Sequence, residues 1–177
     1  EIAALLSKPN EFPDGKPHEE EVVINDFPVK EAINKQHKIF YNGGSSPMKL
    51  TSEELAKITK LDLGFFKKTP KEIITDAGLK DVAKLKNLKS LDLGGTRITD
   101  LGLKDVAKLQ KLEDLDLSST KITTAGLREV AKLKNLTSLD LMHNLRINDA
   151  SMKEVAKMQQ LTSLTFLYHR TILLTWL

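Results

Sequence analysis

Leucine and isoleucine recur in a fixed pattern over the second half of the chain. The stretches LKSLDLGGTRITDLGLKDVAKLQK, LEDLDLSSTKITTAGLREVAKLKN and LTSLDLMHNLRINDASMKEVAKMQQ begin at Leu88, Leu112 and Leu136 and are copies of one 24-residue unit, one residue longer in the last copy. A partial copy begins at Leu161, and an earlier one begins at Ile58 and rejoins the pattern after six extra residues. This self-similarity predicts a stack of structural repeats.

Each copy contains the signals of one short strand and one helix. The alternating leucines of LxxLDL predict a strand with one buried face. A turn and an inward isoleucine (Ile98, Ile122 or Ile147) follow, and a pair such as Thr99-Asp100 is suited to accept amide hydrogen bonds at a helix start. In GLKDVAKL the apolar residues recur at a spacing of three to four, which predicts an amphipathic helix.

A strand and a helix of this size cannot bury their apolar faces alone, so successive copies must stack strand beside strand and helix beside helix. The predicted fold class is therefore α/β, a solenoid with a parallel sheet on its concave face and helices on its convex face. The pattern LxxLxLxxTxITDxGLxxVAxL resembles bacterial 24-residue leucine-rich repeats, and it is similar to the TDxGL repeats of F-box and ribonuclease-inhibitor-like proteins. The resemblance covers residues 58–166 and implies a horseshoe used mainly to bind proteins. Members commonly have Asn at the ninth position, where this chain has Thr96, Thr120 and Asn144.

The remaining segments lack the repeat. Residues 1–29 are expected to form an irregular lead-in, and residues 30–57 a helical N-terminal cap with a helix start at Thr51 or Ser52 and Glu54. Residues 58–166 are the repeats. Residues 167–177 form an apolar C-terminal segment for which three interpretations remain: a short capping strand, an end-to-end contact with a second copy, or a truncated or altered sequence.

Composition narrows the function classes. The 177 residues contain no cysteine, so thiolate chemistry is excluded and the redox compartment is undetermined, and the sequence does not indicate a localisation. No apolar run approaches the ~20 residues of a membrane-spanning helix. The net charge is +3, but most of the cations are lysines and aromatic residues make up only 5% of the chain, so a nucleic-acid partner is not favoured. The basic residues on the predicted helices are interspersed with carboxylates, which favours a solvated face over contacts to nucleic acid or membrane headgroups.

An aspartate column is the most informative candidate site. Asp62, Asp92, Asp116 and Asp140 all occupy the middle of LDL, so stacking places them ~4.8 Å apart on the concave face. Like charges at that spacing repel each other, which favours a cationic partner or a bridging metal ion. The alternative interpretation is that these side chains bond to neighbouring Ser, Thr or Lys residues.

Other candidate residues flank this column. They are polar or variable and are expected on the same surface: Ser90, Asp114 and Ser138 before the column, and Met142 and His143 after it. Phe65 and Phe66 lie in the six-residue insertion, where paired aromatics either extend a binding surface or tuck against the cap.

Catalysis is not indicated. No nucleophile elbow, phosphate-binding loop, dinucleotide-binding or HExxH motif is present, and His18, His37, His143 and His169 fall in different contexts. We therefore expect no enzyme activity, cofactor or metal. The predicted function is a protein-protein interaction module that binds a basic protein or peptide on its concave Asp-lined face. The alternative is self-association, with a homodimer formed through the apolar C-terminal segment.

Overall fold

Short strands and helices alternate along the chain. The structure is a computed structural model that describes residues 21–39, 46–64 and 73–166. Its strands are β1 (Val22–Ile24), β2 (Met48–Leu50), β3 (Lys60–Asp62), β4 (Ser90–Asp92), β5 (Asp114–Asp116), β6 (Ser138–Asp140) and β7 (Ser163–Thr165). Its helices are α1 (Phe27–His37), α2 (Ser52–Lys57), α3 (Asp76–Val82), α4 (Asp100–Val106), α5 (Thr124–Val130) and α6 (Asp149–Val155).

The repeat strands form one parallel sheet in chain order, β3-β4-β5-β6-β7. The central leucine of each strand pairs with that of the next, in the series Leu61, Leu91, Leu115, Leu139 and Leu164. Because side chains alternate across a strand, these leucines all point to one face, and the residues before and after them point to the other. The leucine face is covered by helices α3 to α6, which pack side by side in chain order. The predicted α/β solenoid is therefore confirmed.

The core lies between the sheet and the helices. The strand leucines from Leu61 to Leu139, the helix residues Leu79, Leu103 and Leu127, and the inward Ile98 and Ile122 are buried, and Leu164 and Ile147 are partly buried. The Thr/Asn position contributes to this interior, because Asn144 donates to the carbonyls of Leu117 and Leu141, and its Oδ1 accepts from the backbone and hydroxyl of Thr120. These bonds satisfy backbone groups in the turns that the strands leave unpaired.

The N-terminal cap differs from the expected irregular lead-in followed by a helical segment. Strand β1 and the start of α1 lie within residues 1–29, and β2 lies within residues 30–57, where it pairs antiparallel with β1. The apolar run Val22–Ile24 is long enough for a three-residue strand, and Ile24 is buried in the core. Helix α2 begins at the predicted capping box, in which Thr51 and Glu54 exchange hydrogen bonds.

Asp81 fastens this cap to the first repeat helix. Its carboxylate accepts hydrogen bonds from the backbone of Asn25 (2.6 Å) and Asp26 (2.7 Å) and forms an ion pair with Lys84, which also donates to the carbonyl of Val23. Burial works against the charged form, but the hydrogen bonds from Lys84, Asp26 and Asn25 outweigh it and lower the pKa of Asp81. Burial and the neighbouring Asp81 charge raise the pKa of Asp26, against the hydrogen bond from Val29.

Candidate functional site

The uncovered side of the sheet brings the predicted aspartates together. Asp62 pairs with Asp92, Asp92 with Asp116, and Asp116 with Asp140 in the parallel register, and the next position is Thr165. Asp62 is exposed and the other three are half-buried. Adjacent strands lie ~4.8 Å apart, so the four carboxylates span about 14 Å. We call the sheet surface formed by these aspartates and the residue column before them the Asp face.

Each aspartate is held by the turn that follows its strand. The Oδ1 atom accepts a hydrogen bond from the backbone N–H two residues later, which belongs to Gly64, Gly94, Ser118 and Met142 in turn, at 2.7 to 2.9 Å. This local bond is typical of Asp at the start of a turn. The sequence interpretation in which the column bonds to neighbouring Ser, Thr or Lys side chains did not include this contact with the backbone.

The column that precedes the aspartates lies on the same surface. Lys60, Ser90, Asp114, Ser138 and Ser163 are in register across the five strands. Ser90 donates to Asp114 at 3.2 Å across the β4-β5 pair. The described part of the Asp face therefore carries five carboxylates and one lysine, so it is strongly negative although the whole chain has a net charge of +3.

The turn after each strand contains a residue in the left-handed conformation. Gly95 (φ 69°), Ser119 (φ 52°) and His143 (φ 57°) occupy the same position in successive repeats. His143 is exposed and Met142 is half-buried beside it, at the edge of the Asp face. Phe65 and Phe66 lie outside the described residues. The left-handed backbone suits Gly95, which has no Cβ, and is less favourable for the side-chain-bearing Ser119 and His143.

Sequence reasoning missed a groove at the opposite end of the strands. Lys89, Lys111, Glu113, Asn135 and Thr137 line an open groove of about 440 Å³ where the chain enters β4 to β6. Lys89 and Glu113 form an ion pair of 2.9 Å across it. These residues fall outside the repeated LDL signature, and their only sequence signal is that a polar side chain recurs just before each strand.

The helix face has the opposite charge balance. Ion pairs within one helix turn, such as Lys108 with Asp105 and Lys132 with Glu129, both 2.6 Å, repeat from helix to helix. The hydrogen bond from Lys157 lowers the pKa of Glu154, and Arg128 of the preceding helix adds to that effect. Exposed ion pairs of this kind stabilise a protein little, so these pairs matter more for the charge distribution of the helix face than for the stability of the fold.

Metal-binding clusters and membrane-spanning helices are both absent from the described part of the chain. No group of three His, Asp or Glu side chains lies close enough together there to hold a metal ion. None of the helices within those ranges has the length and apolar character needed to cross a bilayer.

Comparisons with known proteins agree with this architecture. Residues 86–145 match the family model for the leucine rich repeat. An internalin (inlF) from Listeria monocytogenes is 28% identical with a TM-score of 0.57, and the alignment covers 79% of this chain and 36% of that one. This chain thus spans little more than a third of that internalin structure.

Two other solved structures show lower identity. Internalin C2 from the same organism is 23% identical with a TM-score of 0.42, covering 82% of this chain and 75% of the other. Leiomodin-1 actin-binding site 2 is 17% identical with a TM-score of 0.52, covering 83% and 81%. The search of curated proteins gave no match.

Proposed function

We propose that this leucine-rich-repeat protein is a non-enzymatic binding module whose Asp face takes a basic protein or peptide. The observation that carries the proposal is the registered column of Asp62, Asp92, Asp116 and Asp140 on the sheet surface that the helices leave uncovered. A repeat fold needs the opposite face of the sheet for its core, so the residues of the Asp face are not required to be acidic for folding.

The carboxylates are fixed before any partner arrives. In Asp116 and Asp140 the Oδ1 atom is bonded to the following turn, while Oδ2 has no hydrogen-bond partner among the described residues. An acceptor already held in place loses little conformational freedom on binding, which favours association. The charge concentrated along about 14 Å also attracts a cationic partner over distance and speeds its encounter.

The size of the column suits an extended segment. A partner strand that crosses the repeat strands presents side chains on one side every ~7 Å, so two or three lysines or arginines meet the four carboxylates. Long basic side chains adjust to the mismatch between the two spacings because they have several rotatable bonds. We therefore expect recognition by charge and spacing rather than by one deep pocket.

The test replaces Asp92, Asp116 and Asp140 together by Asn. Asparagine keeps an Oδ1 that accepts the turn hydrogen bond, so the charge is removed while the fold is preserved. The probe is an immobilised peptide in which lysine alternates with serine, with a glutamate–serine peptide as its counterpart. We expect the wild type to bind the lysine peptide and the triple variant to lose about tenfold in affinity, because three exposed charge pairs contribute about 0.5 kcal/mol each.

A matched control removes three carboxylates from the helix face. The variant Asp105→Asn, Glu129→Gln and Glu154→Gln has the same net charge as the triple Asn variant. It should bind the lysine peptide nearly as well as the wild type. Equal losses in both variants would mean that overall charge, and not the Asp face, causes the attraction, and the proposal would be wrong.

The second candidate function, self-association, is favoured by the last described strand. Leu161, Leu164 and Phe166 are partly exposed, whereas the corresponding Leu136 and Leu139 of the preceding repeat are buried. The core therefore reaches the surface at this end of the described chain. Residues 167–177 follow in sequence and lie outside the described residues. Light scattering after size exclusion at several concentrations tests this candidate: a dimer that dissociates on deletion of residues 167–177 supports it, and a monomer at every concentration contradicts it.

A further inference from the structure

Helix α1 stacks on the repeat helices as if it were one of them. A Cβ built on Gly78 of α3 would lie 2.7 Å from the carboxylate of Asp26, and one built on Gly102 of α4 would lie 2.5 Å from Asp76 Oδ1. In both cases a helix-start aspartate faces a glycine of the next helix, so Asp26 and Asp76 occupy equivalent positions in the stack. The residues that follow them therefore form one column across the helix starts, in the order Phe27, Ala77, Leu101, Ala125 and Ala150.

The exposed large apolar side chains lie on this side of the molecule, each in a different unit of the stack. Among the described residues they are Phe27 (40% exposed), Leu101 (68%) and Leu145 (88%). Phe27 and Leu101 belong to the helix-start column, and Leu145 lies in the loop that leads from β6 to α6. All three thus lie along the edge where the strands lead into the helices, which we call the apolar rim.

Cations flank the apolar rim on both sides. The loops before α4, α5 and α6 carry the exposed Arg97, Lys121 and Arg146. One helix turn after the column come four more cations, Lys80, Lys104, Arg128 and Lys153. Within the described ranges only Arg128 of these seven forms an ion pair, with Glu154.

The acidic residues of the rim do not cancel this charge. The helix-start carboxylates are four, fewer than the seven cations, and two of them are turned toward the next repeat. Asp76 accepts hydrogen bonds from the backbone and hydroxyl of Thr99 at 2.7 and 2.6 Å, and Asp100 accepts the same pair of bonds from Thr123. The carboxylates that follow the helix cations are each ion-paired with a further lysine three residues later, in the pairs Asp81–Lys84, Asp105–Lys108, Glu129–Lys132 and Glu154–Lys157. From the loop into α4, the rim therefore presents a cation (Arg97), an apolar residue (Leu101) and a second cation (Lys104).

We propose that the apolar rim binds peripherally to an anionic membrane surface. The cations meet the headgroups, and Leu101 and Leu145 insert just below them, as interfacial apolar side chains do. The cations of the rim recur from one repeat to the next, which matches a surface that offers the same groups everywhere. Its apolar side chains project singly, and such protruding side chains fit a soft interface better than a preformed partner groove.

Membrane binding at the rim leaves the other functional surface free. The Asp face is negative and is repelled by anionic headgroups, so the field of the protein turns the rim toward the bilayer. A basic partner can then bind the Asp face while the protein is on the membrane. The two surfaces use different residues, so failure of one proposal leaves the other standing.

The test measures co-sedimentation with vesicles of phosphatidylcholine alone and of phosphatidylcholine with about one third phosphatidylserine. We expect binding only to the anionic vesicles, weakening as salt is raised. Changing Arg97, Lys121 and Arg146 together to Gln should weaken partitioning about a hundredfold, since each basic residue near such a surface contributes about a factor of five.

The apolar contribution has its own variant. Leu101→Ala with Leu145→Ala should weaken partitioning roughly tenfold through lost apolar burial. Its fold is safeguarded because Ala77, Ala125 and Ala150 already occupy the position of Leu101 in other repeats, and an unchanged circular dichroism melt verifies this.

The matched control is on the opposite edge of the solenoid. Lys86, Lys111 and Lys134 changed to Gln remove the same charge, and we expect at most a severalfold loss of vesicle binding. The proposal is overturned if this control weakens binding as much as the rim variant, or if the leucine variant binds as tightly as the wild type. It is also overturned if the wild type does not co-sediment with anionic vesicles but binds an amphipathic peptide of alternating leucine and glutamate, because the rim would then be a protein-binding surface.

Discussion

The packing of neighbouring helix starts predicts a strong energetic coupling between Asp76 and Gly102. A Cβ at Gly102 would lie 2.5 Å from the carboxylate Oδ1 of Asp76 and 2.5 Å from Cδ1 of Leu79, and of the two it is the carboxylate that is held in place, by its hydrogen bonds to Thr99. One junction between repeats is built differently: α5 begins with Thr124 instead of Asp, and α6 has Ser151 instead of Gly, with the two hydroxyls 2.7 Å apart. Where a helix begins with Asp, the next helix therefore has Gly at the facing position, and where a helix begins with Thr, the next helix has Ser there.

The expected magnitudes follow from the hydrogen bonds that each change breaks and the atoms that it crowds. Gly102→Ser forces the Asp76 side chain away at a cost of about 1–3 kcal/mol, and the better helix propensity of serine recovers roughly 0.5 kcal/mol. Asp76→Thr breaks the bonds to Thr99 and costs about 1–2 kcal/mol. The double variant restores the Thr–Ser arrangement, so we expect it to be at least about 1 kcal/mol more stable than the sum of the single changes.

Urea unfolding followed by far-ultraviolet circular dichroism measures all four proteins of this cycle. Ala125→Ser is the control for serine on an exposed helix position and should cost no more than about 0.5 kcal/mol. If the two changes were additive within about 0.3 kcal/mol, or if Gly102→Ser alone left stability unchanged, the steric reasoning would be refuted.

Further predictions concern the cap, a turn and the interior. Asp81→Asn should cost about 1–2 kcal/mol at pH 7. Because the folded pKa of Asp81 lies below its unfolded value of about 4, the difference from wild type should begin to shrink below that pH and be lost as the pH falls through the folded pKa, which a series of urea melts from pH 7 downward would show. His143→Gly should raise the unfolding free energy by up to about 1 kcal/mol because its φ is 57°, and urea melts of the two proteins measure the difference. Asn144→Leu should cost about 2–4 kcal/mol because the carbonyl of Leu141 and the backbone N–H of Thr120 lose their partner, and a chemical melt that shows less than 1 kcal/mol would contradict the role of this side chain.

The repeat region was predictable because its pattern has one physical solution. Leucines at alternating positions and an amphipathic segment of seven residues cannot be buried in one copy, so the stack and its register follow from the period. The Asp column followed from the same register, since residues on either side of a buried leucine must face away from the core. The hydrogen bonds of the aspartates to their own turns were less visible, because the donor is a backbone N–H whose residue varies from Gly64 and Gly94 to Ser118 and Met142.

The N-terminal cap and the apolar rim could not be read in the same way. Strand β1 depends on a partner, β2, more than twenty residues later, and on the carboxylate of Asp81, so no local pattern marks it. The resemblance of α1 to a repeat helix is hidden because it shares few letters with the repeat. The rim needs three-dimensional stacking, since Phe27 and Leu101 are separated in sequence by most of the cap and the first repeat.

Mapping the bound lysine–serine peptide by nuclear magnetic resonance tests the central claim most directly. The backbone amides of Gly94, Ser118 and Met142 donate to the Asp column, so their signals should shift most when the carboxylates bind lysine. The same titration of the triple Asn variant should leave those signals in place. Shifts confined to the helix face or to the groove around Lys111 would place the peptide elsewhere and contradict the proposed Asp face site.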